Sequence, residues 1–229
     1  IKELKESGPH ARKYAALQLI QVLRQNQEKP DTTLVPDLLS AHQVVAGDPA
    51  DIRVTVIHCL GMLRDDRATA PLLETLRGEP DLAVRTACLD ALGAIKDPAS
   101  MADLLKLLDH PEAPIRKYAV FNLGAVAGAA KEVSVLPQMR RLLEDPIDDV
   151  RWNAAFSLAF FMKDDSGRAV LEQMLDRAHL EKVVGNDSER EALVCHAMTH
   201  ACTAISQLRD KKFVETIRTG WWTTCLEIL

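Results

Sequence analysis

At 229 residues, with 47% hydrophobic side chains and only ten aromatic ones, the chain has ample material for a core built mainly of leucine and alanine, which suits closely packed helices rather than a sheet. The formal net charge of −5 argues against nucleic acid as the main ligand, since phosphate neutralisation needs a basic surface; it leaves room only for a local basic strip. Five scattered cysteines at small apolar positions and the lack of any apolar run near the ~20 residues of a membrane helix predict a soluble, cytoplasmic protein with reduced thiols in its core.

In chain order, Ile1 to Ser7 reads as the last turns of a helix before the Gly8-Pro9 break. The chain starts without Met, so the sequence is expected to be a piece of a longer protein. Five helices that carry an arginine near their start follow, near 10–25, 51–64, 82–96, 113–128 and 147–162. They alternate with partner helices near 33–46, 67–77, 99–108, 132–144 and 166–178, several opened by Pro or by a capping Asp-Pro pair. Gly185-Asn186-Asp187-Ser188 breaks the pattern and caps a longer helix over about 189–208, and a final helix is expected from Asp210.

The arginine helices share one phrase. Asp48-Pro49 precedes Ile52-Arg53, Pro80 precedes Val84-Arg85, Pro111 precedes Ile115-Arg116, and Asp145-Pro146 precedes Val150-Arg151. These arginines stand 32, 31 and 35 residues apart, a period that marks stacked helical hairpins. A small residue follows three positions on (Val56, Cys88, Ala119, Ala154) and Leu seven on (Leu60, Leu92, Leu123, Leu158). Gly61, Gly93, Gly124 and Ala159 come eight on, while Arg12, Ala15 and Leu19 repeat the frame without glycine. At about 100° per residue, the positions one before the arginine and three, seven and ten after it share an arc of roughly 80°, a stripe that must be buried.

This pattern over residues 8–178 resembles the HEAT family, specifically the bacterial phycobilisome-lyase HEAT-like repeat. The resemblance implies an all-α, right-handed α-solenoid of about five to six hairpins, one repeat domain over 1–229 with a diverged capping unit at 180–229. It also implies that the arginine helices line the concave side, and that Arg53, Arg85, Arg116 and Arg151 pair with acids of the turns, such as Asp48, Glu79, Asp109 and Asp145, in a structural ladder.

With the stripe buried, each arginine helix opens the positions one, two, five and nine past its arginine. In the unit of Arg85 these are Thr86, Ala87, Asp90 and Ala94, a bland surface. The next two units present Lys117, Tyr118, Phe121 and Ala125, then Trp152, Asn153, Phe156 and Phe160. Five aromatic side chains are thus expected on one groove, with Lys117, Asn122 and Asn153 adding polar specificity. The competing reading is that a modest helix tilt buries Phe121 and Phe156.

Cys195-His196-Ala197-Met198-Thr199-His200-Ala201-Cys202 places His196 and His200 on one helical face, as paired zinc ligands would be. Cys195 and Cys202 lie about 100° to 120° away, so the four do not converge on one ion. The histidines are therefore expected at the groove's end, facing solvent and contacting the partner, with no metal or cofactor. Trp221 and Trp222 either seal the last hairpin or support self-association.

No phosphate loop, Gly-x-Ser-x-Gly turn or catalytic cluster is present in the sequence, so the expectation is a non-enzymatic scaffold or adaptor that binds a protein or peptide. The alternatives are a bilin-lyase-like accessory enzyme or chromophore chaperone using the same groove, and a weak nucleic-acid binder.

Overall fold

The computed structural model describes residues 1–26, 28–185 and 190–208. The helix expected from Asp210 and the Trp221-Trp222 end lie outside them. The described residues form an all-α solenoid of helical hairpins, and the chain divides into two compact units, one from Ile1 to Glu132 and one from Val133 onward.

The first unit alternates α1 (Lys2–Glu6), α2 (Pro9–Gln25), α3 (Val35–Val44), α4 (Ala50–Leu63), α5 (Thr69–Gly78), α6 (Leu82–Ile95), α7 (Met101–Leu107) and α8 (Ala113–Ala130). The even-numbered helices carry the arginines and pack side by side, α2 on α4, α4 on α6 and α6 on α8. Each also packs on the odd-numbered helix before it. Aspartates start the helical segments: Asp81 accepts from the Ala83 and Val84 amides, and Asp65 and Asp97 cap the short turns that lead into α5 and α7. Arg64, Lys96 and Lys131 close α4, α6 and α8 in the left-handed region, at φ 52°, 61° and 57°. Each places a positive charge at the negative end of its helix.

The predicted stripe is buried: Val56, Leu60, Val84, Cys88, Leu92, Ala119 and Leu123 are all inaccessible to solvent. Fully burying one such leucine contributes about 2 to 3 kcal/mol. Burial extends well beyond that arc, to Ala87, Leu89 and Ala91 on α6, because each inner helix has neighbours on both flanks as well as behind.

The glycine eight past the arginine makes this close lateral packing possible. A Cβ on Gly61 would stand 2.9 Å from Ala91 Cα, and one on Gly93 would stand 1.9 Å from Asn122 Oδ1. In both cases the residue that fills the space lies six past the arginine of the next helix. The leucine-glycine signature is thus a contact between neighbouring repeats.

Ion pairs tie the same neighbours. Arg12 Nη1 donates to both oxygens of Asp48 at 2.9 and 3.1 Å, Arg53 pairs with Glu79, and Arg85 Nη2 donates to Glu112 at 2.8 and 2.9 Å. Each arginine therefore reaches the loop that opens the next arginine helix, so Asp48 pairs with Arg12 and the acid opposite Arg85 is Glu112. Arg116 donates to the carbonyls of His110 and Pro111, 2.9 Å each.

The second unit contains α9 (Leu136–Arg141), α10 (Asp148–Phe160), α11 (Arg168–Leu175), α12 (Arg177–Val184) and α13 (Arg190–Gln207). Its arginine, Arg151, donates to the Asp145 carbonyl at 2.6 Å and pairs with Asp148. The Asp145 carboxylate caps locally, accepting from the Ile147 amide. The helix α12 falls where the sequence reading left a connection. Asp176 caps it by accepting from the His179 amide, Gly185 ends it at φ 67°, and Arg177 bridges Glu181 and Glu191 to pin it to α13.

Candidate functional site

On α4, α8 and the arginine helix of the second unit, the positions one and two past the arginine hold partly exposed side chains. In the first unit, α8 presents Lys117, Tyr118 and Phe121, all half-buried, with Lys117 Nζ 5.8 Å from the centre of the Tyr118 ring. Asn122, expected to supply specificity on the surface, is instead only 3% exposed. It fills the space over Gly93, donating to the Tyr118 carbonyl at 2.8 Å and to Asp90 Oδ1 at 3.3 Å. Its position six past Arg116 faces the preceding helix, which is why it is buried.

The unit of Arg85 is less bland than its sequence suggested. Ala87 is buried, but Asp90 is half-buried on the open face and five positions past its arginine, the register that His58 occupies on α4. Burial raises the Asp90 carboxyl above the ordinary range, opposed by the Asn122 hydrogen bond and by the charges of His58 and Lys117. The thiols of Cys59 and Cys88, deep in the packed layer, are each pushed up to about 12 by burial and are chemically quiet.

In the second unit, α10 carries Trp152, Asn153 and Phe160 at half-buried positions, and α13 supplies His196 and His200. Phe156 is 8% exposed and belongs to the packing between these helices rather than to an open groove. Its ring stacks on Phe160 at 5.0 Å, meets Phe161 edge-on at 6.1 Å and lies 5.1 Å from the His200 ring. His196 is exposed and stands 4.1 Å from His200, centre to centre.

One cluster thus joins Phe156, Phe160, His196 and His200, four of the residues singled out from the sequence. Phe161 and Lys163 complete it and were missed. Lys163 Nζ lies 5.6 Å from the Phe160 ring centre and donates to the Phe160 carbonyl and to Gln207 Oε1 of α13, each at 2.7 Å. The Asn153 amide is tied back to the Asp149 carbonyl, and the buried Trp152 indole N–H has no hydrogen-bond partner among the described residues.

Cys195 is half-buried and Cys202 exposed, and among the described residues no three His, Cys, Asp or Glu side chains gather as metal ligands would. No helix among these residues is long and apolar enough to cross a membrane.

Residues 35–124 and 101–186 match the family described as HEAT repeats. A comparison with curated proteins gives no match. Among solved structures, the chain is similar to one in the complex of CpcE and CpcF of phycocyanin lyase from a Nostoc species. The TM-score is 0.59 and the identity 20%, over 90% of this chain and 91% of that one, a likeness of fold.

Proposed function

The chain belongs to the HEAT-repeat family, and from that premise we propose that it is a non-enzymatic scaffold that binds a protein or peptide on the open face of its arginine helices. The observation that carries this reading is the pairing of aromatic and cationic side chains there. Tyr118 lies beneath Lys117 in one unit and Phe160 beneath Lys163 in the other, and none of these aromatic rings is fully buried. Aromatic side chains with an accessible face and a nearby charge are frequent anchors of protein interfaces. Phe121, Trp152, Asn153, His196 and His200 extend the two patches. Arg53 and Arg85 serve stability rather than recognition, since each is held by an acid of the next loop.

Tyr118→Ala and Trp152→Ala, made singly in the full chain and used as bait, test the proposal. Each is expected to weaken capture of the wild-type partner by about 30-fold, the effect of losing ~2 kcal/mol, with the helical signal and melting temperature unchanged. A large drop in melting temperature with capture intact would assign these rings to packing.

A second reading, a lyase-related accessory role in handling a bilin, draws support from the likeness to a chain of the phycocyanin lyase complex. Visible absorbance carried by the protein after co-expression with a bilin pathway favours that reading, and a colourless protein favours the scaffold.

A further inference from the structure

Apart from the aromatic patches, the open face of the first unit holds a groove of about 300 Å³ across the C-terminal halves of α2, α4 and α6. Its apolar lining includes Ile20, Met62, Ala91 and Ala94, and the repeat frame sets its charged lining at two levels along the helices. At one end stand Asp90 and His58. Asp90 Oδ1 accepts a hydrogen bond from Asn122, Oδ2 makes no hydrogen bond among the described residues, and the charges of His58 and Lys117 act on the carboxylate. At the other end Arg24 and Arg64 are exposed, and neither has a carboxylate partner among the described residues.

The repeat frame gives the axial offset between the backbone positions at the two ends. His58 lies five positions past Arg53 and Arg64 eleven past it, six residues along one helix, or about 9 Å at 1.5 Å per residue. Asp90 shares the level of His58 in its own repeat, and Arg24, twelve past Arg12, shares that of Arg64.

Several other acids beside the arginine helices of this unit are engaged elsewhere. Asp48, Glu79 and Glu112 are consumed by the ladder, and Asp51 is held by Lys13. The half-buried Asp90 carboxylate is offset by one hydrogen bond from Asn122 and by the charges of His58 and Lys117, and a cationic ligand group against it would add to that compensation.

We infer that this groove binds an aliphatic zwitterion of peptide dimensions, such as a partner segment with a basic side chain and a carboxylate about 9 Å apart. The cationic group would lie against Asp90, the anionic group between Arg24 and Arg64, and the spacer on Ile20 and Met62. The inference deepens the scaffold reading by naming what one part of the face recognises, and its test needs no partner protein, so the two fail separately.

The probe is 8-aminooctanoate, titrated into the isotope-labelled full chain and followed by its amide resonances, with octanoate and octylamine as the half-ligands. Saturable shifts are expected in the last turns of α2 and α4 and in the second half of α6, with the zwitterion at least about 10-fold tighter than either half-ligand. Asp90→Asn should reduce its affinity to that of octanoate, and the double variant Arg24→Gln/Arg64→Gln to that of octylamine. Equal affinity for the three compounds, shifts elsewhere, or no saturation by about 10 mM would overturn the assignment.

Discussion

The surroundings of His42 constrain its protonation. It is 9% exposed on α3, and its Nε2 lies 2.8 Å from Thr75 Oγ1. The Thr75 hydroxyl donates its one hydrogen to the Pro71 carbonyl at 3.0 Å, so it accepts from His42, whose Nε2 carries the proton of a neutral ring. Burial lowers the His42 pKa. The unfolded chain, at about 6.5, takes up a proton that the folded one refuses, so this contribution to stability is complete above about pH 6.5 and is lost as the pH falls below it. Urea midpoints between pH 8 and 5.5 should fall with acid in the wild type and fall less steeply in His42→Gln; parallel curves would mean the ring is not held neutral. Single residues were also where the sequence was hardest to read. The period-3.6 stripe placed Val84, Cys88 and Leu92 inside, but the fates of Asn122 and Phe156 depend on the neighbours of each helix. Asn122 fits only against a glycine 29 residues earlier in the chain, and Phe156 packs against a histidine of α13.

At the scale of helices, stability rests on close approach and on the ladder. Alanine at Gly61 would gain about 1 kcal/mol of helix propensity, but its Cβ would press on the backbone of Ala91 at 2.9 Å, which no side-chain rotation relieves. A net loss of about 1 to 2 kcal/mol is expected, visible as a lower urea midpoint with an unchanged slope. The Arg53–Glu79 pair joins two largely buried groups, and Glu79 also accepts from the Asp81 amide at 2.9 Å. Arg53→Ala leaves a buried carboxylate uncompensated and should cost about 3 kcal/mol, whereas Arg53→Met with Glu79→Leu should recover most of it. A double variant as unstable as the single would show that the charge itself is required. The helices around the five arginines were legible because one phrase repeats in a fixed frame. The helix α12 was not, because its eight residues lie beyond the last copy of the phrase; only Asp176 before it and Gly185 after it marked its ends.

At the scale of the molecule, the solenoid was legible from the period, and the structure adds a grouping of the chain into two compact units. The sequence changes pattern near residue 178, and the two compact units meet in the chain at Glu132 and Val133. The only hint of that grouping was the longer spacing from Arg116 to Arg151. The additional length falls partly in α8, which runs 18 residues where α4 and α6 run 14 each. In the first unit the partner helices, the glycine contacts and the ladder hold the arginine helices in place, and the face left over is the one proposed for recognition. Hydrogen exchange on the full chain, free and bound to its captured partner, tests this most directly. The account predicts slowed exchange in segments 113–130 and 148–160 with α3, α5 and α7 unchanged; protection confined to those partner helices would contradict it.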